Sequence, residues 1–300
     1  MQSAQPSSVR EFLDYITFQK RYSQHTVISY QNDLTAFFDF ISIQYNNISL
    51  REISPAVVRS WLASLKEQAI TSKSINRKIS TLRSFFKHQL KTGSIGVNPM
   101  SSITSLKVNK RLPSFIEQKD MHTLFSYIEF PDTPEGKTER LLLMIFYQTG
   151  MRLSELIHIK ESHVDKSNGS IKVLGKGNKE RIIPVRDKLI HEIYDYIRAK
   201  KDFENAPVGP YLLVNKKGKK LYPKYVYNVV KKYLGTVSTS ERKSPHVLRH
   251  TFATHLTNNG ADINAVKELL GHASLASTQI YTHNSIDKLR EIYKLAHPKS

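Results

Sequence analysis

The sequence predicts a mainly α-helical protein of two domains with one small antiparallel β-sheet. Three observations carry that prediction. The chain has 300 residues, more than the usual single domain. Apolar residues recur at the spacing of one helix face along most of it. Strand-like alternation is confined to one short stretch, where Ile171-Lys-Val173 and Ile182-Ile183-Pro-Val185 flank a Gly175–Gly177 turn and read as a β-hairpin.

The first domain, expected over residues 1–100, reads as helical throughout. Val9, Phe12, Leu13 and Ile16 form one stripe. Ser23 is a candidate N-cap for a helix with Val27, Tyr30, Leu34, Phe37, Phe38 and Ile41 on its apolar side. Ser54-Pro55, a cap followed by a first-turn proline, opens a helix through Trp61, Leu62 and Leu65. A fourth helix runs from about Thr71 to Thr92 with Ile75, Ile79, Leu82, Phe85 and Phe86 inward. Its outer face carries Lys73, Asn76, Arg77, Lys78, Arg83 and Lys87. So dense a face is open between an ordinary solvated surface and a helix laid in a DNA groove. Lys73, Asn76, Arg77, Arg83 and Lys87 are therefore candidate DNA contacts. Gly93, Gly96 and Pro99 end this helix. Residues 101–113 (SSITSLKVNKRLP) are polar and basic without lasting periodicity and read as a linker.

The second domain, residues 114–300, opens with a helix near Ile116–Ile128 and a loop holding Pro131, Pro134 and Gly136. An apolar helix, Thr138–Gln148, ends at Thr149-Gly150, and Arg152 follows at once. A charge in so apolar a setting needs a partner or a ligand. The expectation is a buried arginine turned into a cleft and steadied by Glu155; a surface Arg152–Glu155 pair is the plainer alternative. Past the hairpin come a helix near Asp187–Lys201, a short strand Tyr211–Val214, a Lys216–Lys220 cluster and a helix from near Lys224. Ser244-Pro245 open another helix, Gly260 ends it, and Asp262 caps the next as far as Leu270. Tyr281 is placed on or beside a short helix from about Ser274, and Ser285 caps a final helix over 285–297.

Composition narrows the partners. Lys and Arg number 45 against 26 Asp and Glu, a net charge of +19. The excess is spread along the chain: residues 1–107 carry 13 basic and 6 acidic side chains, and residues 108–300 carry 32 and 20. Two basic halves joined by a basic linker suit a clamp around a polyanion, most simply nucleic acid. The absence of cysteine excludes disulfides, thiolate nucleophiles and cysteine zinc sites. Neither a signal-peptide core nor a transmembrane run is visible, so a cytoplasmic protein without membrane contact is expected.

The chemistry concentrates between Pro245 and His283. Arg249 is a natural phosphate clamp, because a guanidinium presents paired donors. His246, His250, His255 and His272 can donate hydrogen bonds or move protons near neutral pH. Tyr281 offers a hydroxyl able to act as a covalent nucleophile. His246 and His250, four apart, could instead hold a metal, but the sequence is HVLRH rather than HExxH and supplies no acidic third ligand nearby. A metal-dependent nuclease ranks low on that ground.

Four stretches in order carry a resemblance. His246-Val-Leu-Arg249-His, Leu-Leu-Gly271-His272 and Tyr281 resemble the C-terminal signature of the tyrosine site-specific recombinases, the lambda-integrase-like family that includes the Xer subgroup. Thr149-Gly-Met-Arg152-Leu-Ser-Glu155-Leu resembles the family's first arginine box, and Val173-Leu-Gly-Lys176-Gly-Asn-Lys-Glu-Arg its lysine-bearing hairpin. Met151 replaces the usual leucine, and Val266-Lys267 the common Ile-Gln; neither change removes a chemical group.

The resemblance implies an all-α, SAM-like core-binding domain followed by a mostly helical catalytic domain. It implies that Arg152 and Arg249 hold the scissile phosphate, with His246 and His272 hydrogen-bonding it. Lys176 would protonate the leaving oxygen and Tyr281 would be the nucleophile, with no metal or other cofactor and no ATP. It further implies double-stranded DNA as substrate and a homotetramer, or a heterotetramer with a second recombinase, working through a Holliday junction. The terminal helix 285–297 would make contacts between protomers. Without a further N-terminal arm-binding domain, resolution of chromosome or plasmid dimers is favoured, with a DNA translocase as a partner that stays open. A mobile-element integrase, a non-catalytic DNA-binding regulator on the same fold and a type IB topoisomerase are the alternatives.

Overall fold

The computed structural model describes residues 6–108, 114–175, 180–203 and 209–271, together with 293 and 296. The chain forms two compact units divided between Arg111 and Leu112.

The first unit is helical, and its helices begin where side chains satisfy free amides. Helix α1 (Ser7–Asp14) runs on into a π-helical turn, Tyr15–Gln19. Helix α2 (Gln24–Tyr45) is capped by Ser23, whose Oγ accepts from the Thr26 amide at 3.3 Å. Helix α3 (Pro55–Glu67) starts with Ser54 as cap and proline in the first turn, and α4 (Ser72–Lys91) with Thr71 as cap. All three starts match the sequence reading. Their apolar faces meet around Phe37, Trp61, Phe85 and Phe86, with the Phe37 and Trp61 rings edge-on at 5.0 Å.

A buried carboxylate ties two of these helices together. Asp33 on α2 accepts from Arg77 at 2.5 Å, Lys78 at 3.1 Å and the Thr81 hydroxyl at 2.9 Å, all on α4. With three donors, two of them cationic, the buried charge is tolerable.

The segment read as the start of a linker is part of this unit. Met100 and Ile103 are buried in its core. Asn76 pairs with the Leu106 backbone in both directions, at 2.9 and 2.8 Å, and Arg83 donates to the Ile103 carbonyl at 2.5 Å. Backbone hydrogen bonding is invisible to side-chain periodicity, so residues 101–106 read as linker although they are fastened to α4.

The second unit is built around α6 (Pro134–Thr149), buried along nearly its whole length. It begins a turn earlier than expected: Thr133 caps it, Pro134 takes the first helical position, and Gly136 lies in the first turn. An added Cβ at Gly136 would stand 2.0 Å from the Pro131 carbonyl oxygen, so this glycine serves close packing and not a loop.

Around α6 stand α5 (Gln118–Ser126), α7 (Leu153–Leu156), α8 (Asp187–Lys200), α9 (Pro223–Val237), α10 (Pro245–Asn258) and α11 (Ile263–Leu270). The expected hairpin is present within an antiparallel sheet of order β1 (Val164–Asp165), β2 (Ser170–Leu174), β3 (Glu180–Pro184). Ile171 faces Ile183 and Val173 faces Arg181. Tyr211 and Val214 make only isolated bridges, to Lys160 and Lys220, so no continuous strand forms there. Among the helix ends, Gly150 and Gly271 adopt the left-handed conformation that closes α6 and α11. Tyr293 and Ala296 pack into this unit's own core, where the Tyr293 hydroxyl donates to the Gln148 carbonyl at 2.8 Å.

Candidate active site

The last carbonyls of a helix lack intrahelical partners and carry the negative end of its dipole. At the end of α11, three arginines from three different elements take up three consecutive carbonyls. Arg181 Nε, from β3, donates to Leu269 O at 2.9 Å. Arg249 Nη2, from α10, donates to Leu270 O at 2.6 Å. Arg152 Nη2, from the turn after α6, donates to Gly271 O at 2.8 Å. Arg249 also donates through Nη1 to the Gly150 carbonyl at 2.6 Å, so it bridges the ends of α6 and α11.

Close packing holds this junction together. Gly150 sits at φ +57°, and a Cβ there would meet the Phe252 ring at 2.3 Å and Leu270 at 2.9 Å. Gly271 at φ +64° lies against the Arg181 side chain. Only glycine allows both the backbone angle and the approach.

One carboxylate stands among the three cations and bonds two of them. Glu155 Oε1 accepts from Arg152 Nη1 and Arg181 Nη1, both at 2.8 Å. Its Oε2 accepts from Arg181 Nη2 at 2.8 Å and from the Arg152 backbone amide at 2.6 Å. Burial pushes this carboxyl up, but the bonds from Arg181 and the Arg152 backbone, with the Arg181 charge, outweigh it and hold the group at about 2. Burial, and then the like charge of Arg152, lowers Arg249 to about 10, so it remains a cation at neutral pH. Three positive charges against one negative leave a site with room for further anionic charge.

The expected pairing of Arg152 with Glu155 is present, but the buried member is the acid: the arginine, expected to be buried, is partly open to solvent. His246 is exposed on the first turn of α10, where free amides favour an anion. His250 is exposed too, whereas His255 is buried with Nδ1 3.1 Å from the Tyr147 hydroxyl. Among the described residues no three acidic or histidine side chains converge as a metal site. Lys176, His272 and Tyr281 lie outside the described residues, as do Ser274 and Ser285. In the first unit, Lys73 and Lys87 are exposed, Arg77 is held by Asp33, and Asn76 and Arg83 engage residues 103–106.

Arg181 is the residue that the sequence reading passed over. The available signal was alternation: in β3, Arg181 shares the inward side with Ile183, and a charge on that side requires a buried partner.

The same architecture recurs among known proteins. Residues 114–287 match the phage integrase family, and residues 9–93 match the phage integrase N-terminal SAM-like domain. The chain belongs to the phage integrase family. Within it, the sequence is 35% identical to tyrosine recombinase XerC of Chlorobaculum parvum, over 96% of this chain and 93% of the relative. It is 38% identical to tyrosine recombinase XerC of Staphylococcus saprophyticus, over 96% of both chains. The fold is similar to that of the XerH site-specific recombinase solved in a post-cleavage complex with palindromic difH substrate. That likeness has a TM-score of 0.73 at 23% identity, covering 96% of this chain and 84% of the other. This integrase-family chain is a Xer-type tyrosine recombinase, and the helical N-terminal unit and mixed second unit are the family's two domains. Among the described residues, no helix is long and apolar enough to cross a membrane.

Proposed function

We propose that the arginine cluster at the end of α11 grips the scissile phosphate of duplex DNA while Tyr281 attacks it. The protein is a site-specific DNA recombinase that cuts and rejoins strands. One observation carries the assignment of the work to this cluster: three guanidiniums gather at one helix end, and the single buried carboxylate among them bonds only two, Arg152 and Arg181. Phosphoryl transfer asks mainly for positioning and charge stabilisation, and the reacting phosphate gathers negative charge as the fifth oxygen arrives. A site with surplus positive charge fits that change.

In this reading Arg152 and Arg249 hold the non-bridging oxygens, and His246 and His272 hydrogen-bond the phosphate. The Tyr281 oxygen bonds to phosphorus and gives up its proton, with His246 as a candidate acceptor. The bond from phosphorus to the 5′ oxygen breaks, and Lys176 protonates that oxygen. A 3′-phosphotyrosine and a free 5′-hydroxyl result. The bond energy is conserved, so a 5′-hydroxyl from another strand reverses the step without ATP.

The whole-length likeness to XerC recombinases supports four protomers on paired sites and resolution of chromosome or plasmid dimers in the cytoplasm. A translocase as regulator belongs to the same reading. The test is incubation of the protein with nicked site DNA in EDTA, followed by denaturation. An SDS-resistant adduct is expected; tight, salt-sensitive binding with no adduct on any nicked substrate, a second recombinase included, would favour the regulator.

A further inference from the structure

Arg181 is the most heavily engaged of the three arginines. Its Nη1 and Nη2 form a two-pronged clasp on Glu155, both bonds at 2.8 Å, and its Nε holds the Leu269 carbonyl at 2.9 Å. With its guanidinium nitrogens so engaged and its side chain only 5% exposed, it offers little to DNA. Its neighbours, however, are the two groups that hold Arg152. One is Glu155, whose oxygens take both the Arg152 guanidinium and its backbone amide. The other is Gly271, which accepts from Arg152 and would bring a Cβ within 3.1 Å of Arg181 Cδ.

The contrast in burial explains why such a brace is needed. The Arg152 side chain is 32% exposed, and an arginine paired with one acid near solvent holds its geometry weakly. Glu155 is 3% exposed and receives four donors, two of them from Arg181. A bidentate, buried pair of this kind has one geometry. It turns a flexible surface arginine into one aimed from a fixed carboxylate.

We propose that Arg181 is a positioning residue for strand cleavage: through Glu155 and the α11 end it fixes the Arg152 guanidinium where the scissile phosphate binds. The proposal rests on the reading of the site given above and extends it to a residue that does not touch the phosphate. Lysine at this position keeps the charge but cannot supply the clasp and the Leu269 bond together. Arg181→Lys therefore tests geometry with less risk to folding than Arg181→Gln, and both are made.

The experiment compares single-turnover cleavage of two nicked substrates at saturating protein, with DNA affinity and thermal midpoint measured alongside. One carries the ordinary scissile phosphodiester. The other carries a methylphosphonate there, in which a methyl group replaces a charged non-bridging oxygen, so less depends on a well-placed arginine. On the phosphodiester, Arg181→Lys is expected to cleave at least 30-fold more slowly than wild type, with affinity within threefold. On the methylphosphonate its deficit relative to wild type is expected to shrink to threefold or less, and Arg152→Ala is expected to show the same relief. A merely structural role would give equal deficits on both substrates, and that result, or no deficit on either, overturns the proposal. Failure of wild-type protein to form an adduct with the phosphodiester overturns instead the reading of the site on which it rests.

Discussion

Arg152 donates to the Gly271 carbonyl at 2.8 Å, and so joins the turn after α6 to the residue that precedes His272 in the chain. Two motifs more than a hundred residues apart in sequence thus meet through one hydrogen bond. The Arg249 bond to Leu270, one residue earlier, makes the same helix end the common origin for both arginines. Positions set by backbone carbonyls are stiffer than positions set by side chains alone.

Arg152→Lys should separate binding from chemistry. The lysine keeps one charge but cannot serve Glu155, Gly271 and a phosphate together. Loss of one preorganised donor from a reacting oxyanion costs on the order of 10²–10³ in rate. Cleavage should fall by about that factor in single-turnover assays. Affinity should change by less than about threefold, because many phosphate contacts share it.

Gly150→Ala should destabilise the second unit. The substitution forces a side chain into φ +57° and drives a Cβ to 2.3 Å from the Phe252 ring. Backbone strain and overpacking together cost roughly 3 kcal/mol. Thermal unfolding should drop by about 10 °C. An unchanged midpoint would mean that α6, α10 and α11 do not close around this glycine.

Much of this arrangement was legible in the sequence, for a physical reason. Ser23, Ser54, Thr71 and Asp262 announce helix starts because capping is local chemistry. Gly150 and Gly271 likewise mark the turns beside two motifs. Long-range hydrogen bonding carries no such local mark. Residues 101–106 looked like a linker because what holds them is Asn76 and Arg83, twenty or thirty positions away. Arg181 looked like one more lysine-rich hairpin charge, although its partners Glu155 and Leu269 make it part of the core. Pairing Arg152 with Glu155 was readable at three-residue spacing; the third member of that cluster was not.

Glu155 makes stability depend on acid. Its folded-state pKa, about 2, lies below the ordinary 4.5 because the Arg181 and Arg152 bonds outweigh burial. The contribution is therefore complete above pH 4.5 and is lost as the pH falls toward 2. Glu155→Gln should lower stability near neutral pH by about 3 kcal/mol, since Arg181 is left as a buried, uncompensated charge. It should also flatten the fall in unfolding midpoint between pH 5 and pH 2.5. Parallel curves for the two proteins would contradict the assignment.

His255 supplies a second pH dependence at a higher range. Burial lowers its pKa below the ordinary 6.5, against smaller opposing effects from the Ile116 backbone and Glu117. The neutral ring is what the fold accommodates, so its contribution is present above pH 6.5 and is lost as the pH falls through the lowered value. Unfolding midpoints taken from pH 7.5 to 5 should decline less in His255→Gln than in wild type.

The identity of the nucleophile decides the mechanism most directly. Trapped protein–DNA adducts would be digested with protease and nuclease, and the modified peptide sequenced by mass spectrometry. A single nucleotide 3′-phosphate esterified to Tyr281 is expected, and no adduct from a Tyr281→Phe protein that still binds DNA. A modification on any other residue, or an undiminished adduct from Tyr281→Phe, would contradict this mechanism.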